Sequence, residues 1–350
     1  MHYMNPDKKA AHVLIVYRDV QKMGPYSHKA LGVNAMHTAK VLRKNGIRAD
    51  VIGAWPANTI AGEVSKYPSA THVVIEAPWV FPQTMWELIR RFPNIHWLVR
   101  THSQIGFLQV EPGAVDNLRE LIHMQDGELN LSVAANSSRL AYFVENVYQG
   151  RCVHLPNLYD MERVTAKTSE AHDHRKLVIG AFGALRLLKN HSTSASAAML
   201  IARRCRKDLE FWINVGREET SGGRDVLPTL RHMFKGIPWA KLVESPWQPW
   251  AEFRRTIAHM DLLMQPSFTE TFNITAADAV AEGVPVVAGD AIEWLPDSWK
   301  ASCDDAEDVA RVGRGLLADP GAPADGLKAL TSYVRAGVKQ WMDYLSSNPT

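Results

Sequence analysis

Apolar residues in this chain come in short unbroken runs rather than in alternation. In the first half these are residues 12–17 (HVLIVY), 71–77 (THVVIEA), 95–100 (IHWLVR) and 129–135 (LNLSVAA). In the second half they are residues 176–182 (KLVIGAF), 209–215 (LEFWINV), 261–265 (DLLMQ) and 284–288 (VPVVA). A strand covered on both faces reads this way, as in a parallel sheet with helices on either side. Shorter pieces at 51–52, 152–155 and 241–244 predict further strands. Between the runs the apolar spacing turns helical. Residues 34–45 have helical apolar spacing at Met36, Ala39, Val41 and Leu42, with Gly46 as the stop. Similar spacing predicts helices over 83–91, 118–124, 139–146, 224–234, 249–259, 275–282 and 309–317, and one ending at Cys205. A last helix over 327–345 follows Leu327, Leu330, Val334, Val338, Trp341 and Tyr344. Residues 161–175 are polar and aperiodic and read as a linker. Strands and helices thus alternate in two successive halves, which predicts an α/β fold with two parallel sheets.

One stretch stands out. Residues 266–290 read PSFTETFNITAADAVAEGVPVVAGD. A buried strand leads into a loop over 268–274, then a short Ala-rich helix stopped by Gly283, then another apolar strand. This is a parallel βαβ unit, whose ligand end lies where strand gives way to helix. Backbone N–H groups at Phe272, Asn273, Ile274 and Thr275 precede the helical ladder and favour an anion or a sugar hydroxyl. Glu270 in the loop and Asp278 in the helix supply two acceptors for the hydroxyls of a polyhydroxylated ligand. A second basic cluster follows the 176–182 run. Gly183 allows close backbone approach, and Arg186 and Lys189 are two cations at a strand end and helix start, suited to a diphosphate.

The 266–290 stretch resembles the donor-binding signature of retaining GT-B glycosyltransferases of family 4. That pattern is Glu-x7-Glu ending in Ala-x-Gly-x-Pro-Val-Val, and it is met here by Glu270, Phe272 and the run Asp278-Ala-Val-Ala-Glu-Gly-Val-Pro-Val-Val. Two positions depart from it: Asp278 stands for the second Glu, and Asn273 for the usual Gly. The familiar Gly-Gly pair after the first strand is also missing, with only Gly24 and Gly32 nearby. The resemblance implies a GT-B fold, two Rossmann-like domains facing a cleft with a C-terminal helix crossing back to the first. It implies an acceptor domain over 1–160, a sugar-nucleotide domain over 161–323 and the crossing helix over 324–350. Arg186 and Lys189 would take the diphosphate, Glu270 the sugar hydroxyls and Asp278 the ribose. Gly183 and the N–H groups from Phe272 to Thr275 would assist. His102, which ends the 95–100 strand in Thr101-His102-Ser103, stands where the family commonly has a His near the donor sugar and acceptor. The donor would be a nucleoside-diphosphate sugar, with a UDP-sugar first in line. No cofactor and no metal are expected for the chemistry. A GT-B sugar-nucleotide epimerase and a non-catalytic nucleotide-sugar-binding protein are the other readings left open.

Composition narrows this little. The chain has 350 residues, enough for two domains, and a net charge of +2. Up to Asp160 there are 16 basic against 13 acidic residues, and 23 against 24 after it. That tilt falls short of a dedicated nucleic-acid binder. Cys152, Cys205 and Cys303 form no metal spacing, which fits a reduced, cytoplasmic setting. The first residues carry no apolar signal core, and no run approaches a membrane span. The acids over 304–308 invite a metal reading, but a helix follows them, so a cap and first turn are expected. No GxGxxG follows the first strand, which argues against nicotinamide chemistry.

The acceptor is the least legible part. The stretch from Ser267 to Asn273 and the helix after it look similar to phage-encoded members of the superfamily, some of which glycosylate hydroxymethylated pyrimidines in viral DNA. That makes 5-hydroxymethylcytosine DNA the leading single acceptor candidate, in a host cytoplasm, beside small molecules and glycans. Lys22, Lys29, Lys40, Arg43 and Lys44 are compatible with a phosphate backbone, although such cations are more often solvated.

Overall fold

A computed structural model describes residues 11–19, 29–127, 130–162, 175–219 and 222–348. The chain divides into two compact units. The first comprises Met1–Asp160 with Val334–Thr350, and the second Met161–Tyr333.

Among the described residues the first unit holds six strands: β1 (His12–Arg18), β2 (Arg48–Ala54), β3 (His72–Glu76), β4 (His96–Thr101), β5 (Leu131–Ala135) and β6 (Val153–His154). Their order is β2-β1-β3-β4-β5-β6, and every neighbouring pair is parallel. The helices between them are α1 (Lys29–Lys44), α2 (Ile60–Val64), α3 (Pro82–Arg91), α4 (Ile105–Leu108), α5 (Pro112–Asp126) and α6 (Ser138–Val147). The central strands β1 and β3 are almost wholly buried, as their unbroken apolar runs require. The chain reverses its direction of growth between β1 and β3, which makes their C-terminal ends a topological switch point.

The second unit holds β7 (Lys176–Ala181), β8 (Asp208–Val215), β9 (Ala240–Pro246), β10 (Leu262–Gln265) and β11 (Val286–Ala288). The order is β11-β10-β7-β8-β9, again all parallel. Its helices are α7 (His191–Cys205), α8 (Gly223–Phe234), α9 (Trp250–Ala258), α10 (Ile274–Glu282) and α11 (Ala306–Ala318). Here the switch point falls between β7 and β10. The two stretches picked out for chemistry, after residue 182 and after residue 265, therefore leave adjacent strands.

The last helix, α12 (Ala322–Ser347), is shared: it belongs to the second unit up to Tyr333 and to the first from Val334 on. Within the first unit its Trp341 is fully buried. The Trp341 indole donates to the Pro156 carbonyl at 2.9 Å, and its ring lies under the Arg100 guanidinium at 5.2 Å. Nearby, His72 bonds the Asn348 carbonyl at 2.9 Å.

Several predicted bounds shift for physical reasons. The strand expected at 51–52 spans seven residues, because β2 pairs with β1 along its full length. The strand expected over 152–155 is two residues long, at the sheet edge. The helices α2 and α4 are too short to show a period and were not predicted. Gly32 sits inside α1, where a Cβ would come within 3.0 Å of the Tyr17 ring. It permits close packing of α1 on β1 and does not stand in for a ligand-loop glycine. The loop carrying Gly24, Pro25, Ser27 and His28, and most of the 161–175 linker, lie outside the described residues.

Truncating Trp341 to Ala removes a filled core position and a buried donor. The cost should be about 3–5 kcal/mol, read from urea unfolding followed by a probe in the first unit.

Candidate functional site

In the second unit, Gly183 follows β7 with φ +130, a conformation open to glycine. A Cβ there would meet the Lys189 Cε at 3.3 Å, so glycine also makes room for that side chain. The chain then turns through a short 3-10 segment, Leu187–Lys189, into α7. Asn190 takes the left-handed turn between the two, and its amide donates to the Pro266 carbonyl at 3.1 Å. Phe268 N–H donates to the Leu188 carbonyl at 3.0 Å. These two bonds lash the loop after β10 to the turn after β7. The lashing brings Lys189 and Glu270, 81 positions apart, into a direct ion pair. Both side chains are mostly buried, at 12 % and 8 % exposed. Arg186 pairs with Glu219 at 3.3 Å, and Glu219 also holds Arg217.

Burial pulls the Lys189 ammonium below the usual lysine range; Glu270 opposes that shift, while Arg186 adds to it. His191 opens α7 beside these cations. Burial and then Lys189 and Arg186 push it down to about 3, so it is neutral at physiological pH. Its Nδ1 has no hydrogen-bond partner among the described residues.

The α10 N-terminus faces the same switch point. Asn273 sits in the left-handed region with φ 53. Asn is among the few non-glycine residues that tolerate this, which accounts for its standing where the family pattern has Gly. It also caps the helix, since its side-chain oxygen accepts from Ala276 N–H at 2.9 Å. Its amide donates to Gln265 at 2.9 Å, and Gln265 donates in turn to the Phe182 carbonyl at 3.0 Å. The first intrahelical bond runs from Ala277 to the Asn273 carbonyl, so the N–H groups of Ile274 and Thr275 precede the ladder. The Phe272 ring is buried and stacks on Tyr333 at 5.4 Å, and its carbonyl accepts from Trp294. The side chain is an anchor for the loop. Asp278 is buried in α10 and accepts from the Trp250 indole.

Trp247, Trp250 and Phe253 each pack on a different partner. Trp247 lies under the Arg217 guanidinium at 5.2 Å, and Phe253 meets Phe182 edge-on at 5.3 Å. Asp305, in the acidic 304–308 segment, caps α11 by accepting from Glu307 and Asp308 N–H.

In the first unit, His102 follows β4 and bonds Glu76, which ends β3. Arg100 clasps the same carboxylate with one nitrogen, at 2.8 and 2.9 Å, and donates to the Leu155 and Pro156 carbonyls. Burial pushes the Glu76 carboxyl up, but Arg100 and His102 outweigh it and hold the group below the usual range. Burial lowers His102, and Glu76 offsets this only in part. A neutral His102 facing a carboxylate must carry its proton on Nε2. Its Nδ1 then accepts from the Asn136 amide at 3.2 Å. Glu76 and Asn136 gave no signal in the sequence: Glu76 sits inside an apolar run, and Asn136 reads as a helix cap.

The basic residues proposed for a phosphate backbone are largely engaged. Lys40 and Lys44 both pair with Asp160 at 2.6 Å, and Arg43 donates to the Ala49 carbonyl at 2.7 Å. Lys22 and the Lys29 side chain lie outside the described residues.

No protein-family model matches this chain, and no curated protein matches it in sequence. Solved structures do match in shape. A sucrose-phosphate synthase from Thermosynechococcus elongatus superposes with a TM-score of 0.64 at 14% identity, over 95% of this chain and 98% of that one. A trehalose-6-phosphate protein from E. coli, bound with UDP-2-fluoro glucose, gives 0.64 at 12% identity, over 97% and 98%. A glycosyltransferase from Rickettsia africae gives 0.63 at 11% identity, over 97% and 98%. The fold is GT-B. Within it, Gly183, Arg186, Lys189, Glu270, Asn273, Ile274 and Thr275, the residues the sequence pattern suggests for a donor site, gather at the switch point of the second unit. Asp278 lies on the same GT-B unit but under Trp250, and His102 belongs to the first. No helix among the described residues is long and apolar enough to cross a membrane.

Two measurements check this site. Asn273→Ala should cost about 2 kcal/mol, from the left-handed backbone and the lost cap, whereas Asn273→Gly should cost only about 0.5 kcal/mol. His191 binds a proton only in the unfolded chain between its two pKa values, so its contribution to stability is full above pH 6.5 and falls as pH falls. Denaturation at about pH 8 and about pH 5 should show about 2 kcal/mol of acid-linked loss that His191→Gln lacks.

Proposed function

We propose that this chain is a glycosyltransferase that moves a sugar from a nucleoside-diphosphate sugar to an acceptor hydroxyl. The observation that carries this reading is the Lys189–Glu270 pair at the β7/β10 switch point, with Arg186 beside it. The cation and the acid satisfy each other in this structure. A bound diphosphate would draw Lys189 and Arg186 to its oxygens, and Glu270 would turn to accept from the sugar hydroxyls. Ile274 and Thr275 N–H groups at the α10 N-terminus would add donors to an anion. The solved structures similar to this chain support the same reading, one of them bound with UDP-2-fluoro glucose.

In the reaction, the acceptor oxygen bonds to the anomeric carbon as the bond to the diphosphate oxygen breaks. The acceptor proton leaves with the diphosphate or through solvent. Negative charge develops on the leaving group, and Arg186 and Lys189 stabilise it where it forms. Retention of the anomeric configuration follows from the resemblance to a retaining family. The first unit would hold the acceptor at its strand ends, where His102 sits oriented by Glu76. No step requires a metal or a cofactor. For the acceptor, hydroxymethylated DNA rests on the resemblance to phage enzymes alone, since three of the cations that would support it bond within the protein.

Arg186→Ala and Lys189→Ala should each weaken UDP or the preferred nucleoside diphosphate by about 1.5–3 kcal/mol in titration calorimetry. Unchanged affinity in both rejects the diphosphate assignment. A panel of sugar nucleotides should then be offered with 5-hydroxymethylcytosine DNA, unmodified DNA, glycans and small alcohols. Donor turnover that needs an acceptor supports transfer, and turnover without one supports an epimerase or hydrolase. Product NMR should show a retained anomer, Glu270→Gln should cut turnover sharply, and EDTA should leave it intact.

A further inference from the structure

Arg18 is the last residue of β1, at the switch point of the first unit, where β1 ends between β2 and β3. Its guanidinium is partly buried and lies over the Trp55 ring at 3.9 Å. Trp55 meets Trp79 at 6.1 Å, and the Trp79 indole donates to the Glu76 carbonyl at the end of β3. The arginine has no acid to pair with. Its Nε is shielded from water and has no acceptor, and none of its nitrogens makes a hydrogen bond or ion pair among the described residues. The neighbouring Asp19 is turned to the other face, as alternation along a strand requires. It stands with Tyr17 over Gly53, where a Cβ would come within 2.8 Å of the Asp19 carboxylate and 3.0 Å of the Tyr17 hydroxyl. Burial pulls the Arg18 guanidinium below the usual arginine range, and no neighbouring charge offsets the shift. Next to β1, the chain leaves β3 through Ala77 at φ 70, a left-handed conformation that costs an alanine energy and that collects at ligand sites.

A partly buried guanidinium without a counter-charge destabilises the fold that carries it. Its forked N–H donors match one kind of partner, the paired oxygens of a phosphate or carboxylate. In an open parallel sheet, the C-terminal strand ends at the switch point are where ligands bind. We propose that Arg18 is an anion-binding residue of the first unit, and that the acceptor is an alcohol carrying a phosphate or carboxylate group. The first part stands on Arg18 and its surroundings; the second rests on the transferase reading above.

The test joins stability to binding. Arg18→Met keeps an unbranched stem over Trp55 and removes the charge. Because Arg18 bonds nothing inside the protein, the variant should melt no more than about 2 °C below the unaltered chain. A larger drop makes Arg18 a structural cation and overturns the proposal. The full chain is then titrated calorimetrically with sugars and small polyols, their monophosphates and the matching sugar acids. At least one charged member should bind about tenfold or more tightly than its neutral parent, and Arg18→Met should bring that ratio within about threefold. No charged preference overturns the proposal, and so does a preference that survives in Arg18→Met, because other cations then supply it. Donor turnover is read with the same compounds. Turnover as fast with the neutral parents as with the charged members overturns the acceptor assignment and leaves the transferase reading standing. Arg18-dependent binding of a charged member without turnover supports the anion site and counts against the transferase reading.

Discussion

A lysine ammonium that is mostly removed from water needs a counter-charge, and in the second unit Lys189 has Glu270. Much of the local architecture serves that pair. Gly183 makes room for the Lys189 stem, Asn190 and Leu188 fasten the loop that carries Glu270, and Asn273 and Gln265 fix where that loop becomes helix. Removing one partner of such a pair leaves the other buried and uncompensated, which is costlier than never having had the pair. A ligand that brings its own negative charge and its own hydroxyl donors can replace both halves at once.

The first unit repeats the logic with different groups. Glu76, Arg100 and His102 stand at the C-terminal ends of neighbouring parallel strands, and the buried carboxylate accepts from both the Arg100 guanidinium and the neutral His102 imidazole. Arg100 is further tied to the Leu155 and Pro156 carbonyls and lies against Trp341. His102 is oriented by a network anchored in the core, which limits the imidazole to one tautomer. Both units thus place their titratable groups where parallel strands end, and both hold them with charges of opposite sign.

Much of the fold was legible because strands buried on two faces leave unbroken apolar runs, and every long run proved to be a strand in a parallel sheet. The candidate loop and helix of the second unit were legible because Glu270, Asn273 and Asp278 lie in one contiguous pattern. What escaped was whatever depended on partners distant in sequence. The engagement of Asp278 by Trp250 joins positions 28 apart, and Arg100 meets Glu76 across a sheet that sequence spacing does not report. The basic group near Lys40 looked available because Asp160, its partner, lies 116 positions from Lys44. Asn273 looked like a departure until its backbone angle was known; then it became the residue best able to replace glycine there.

The division of α12 between the units bears on the order in which the protein is made. The second unit is one continuous stretch of chain, Met161–Tyr333, flanked on both sides by parts of the first. Residues up to Asp160 emerge from the ribosome before the second unit, yet Trp341, which fills the space beside Arg100 and caps the Pro156 carbonyl, emerges after it. Domains ordinarily complete themselves in the order of synthesis. In this chain the unit begun first is completed only after the other has emerged, so the nascent first unit waits with an open core while the second closes.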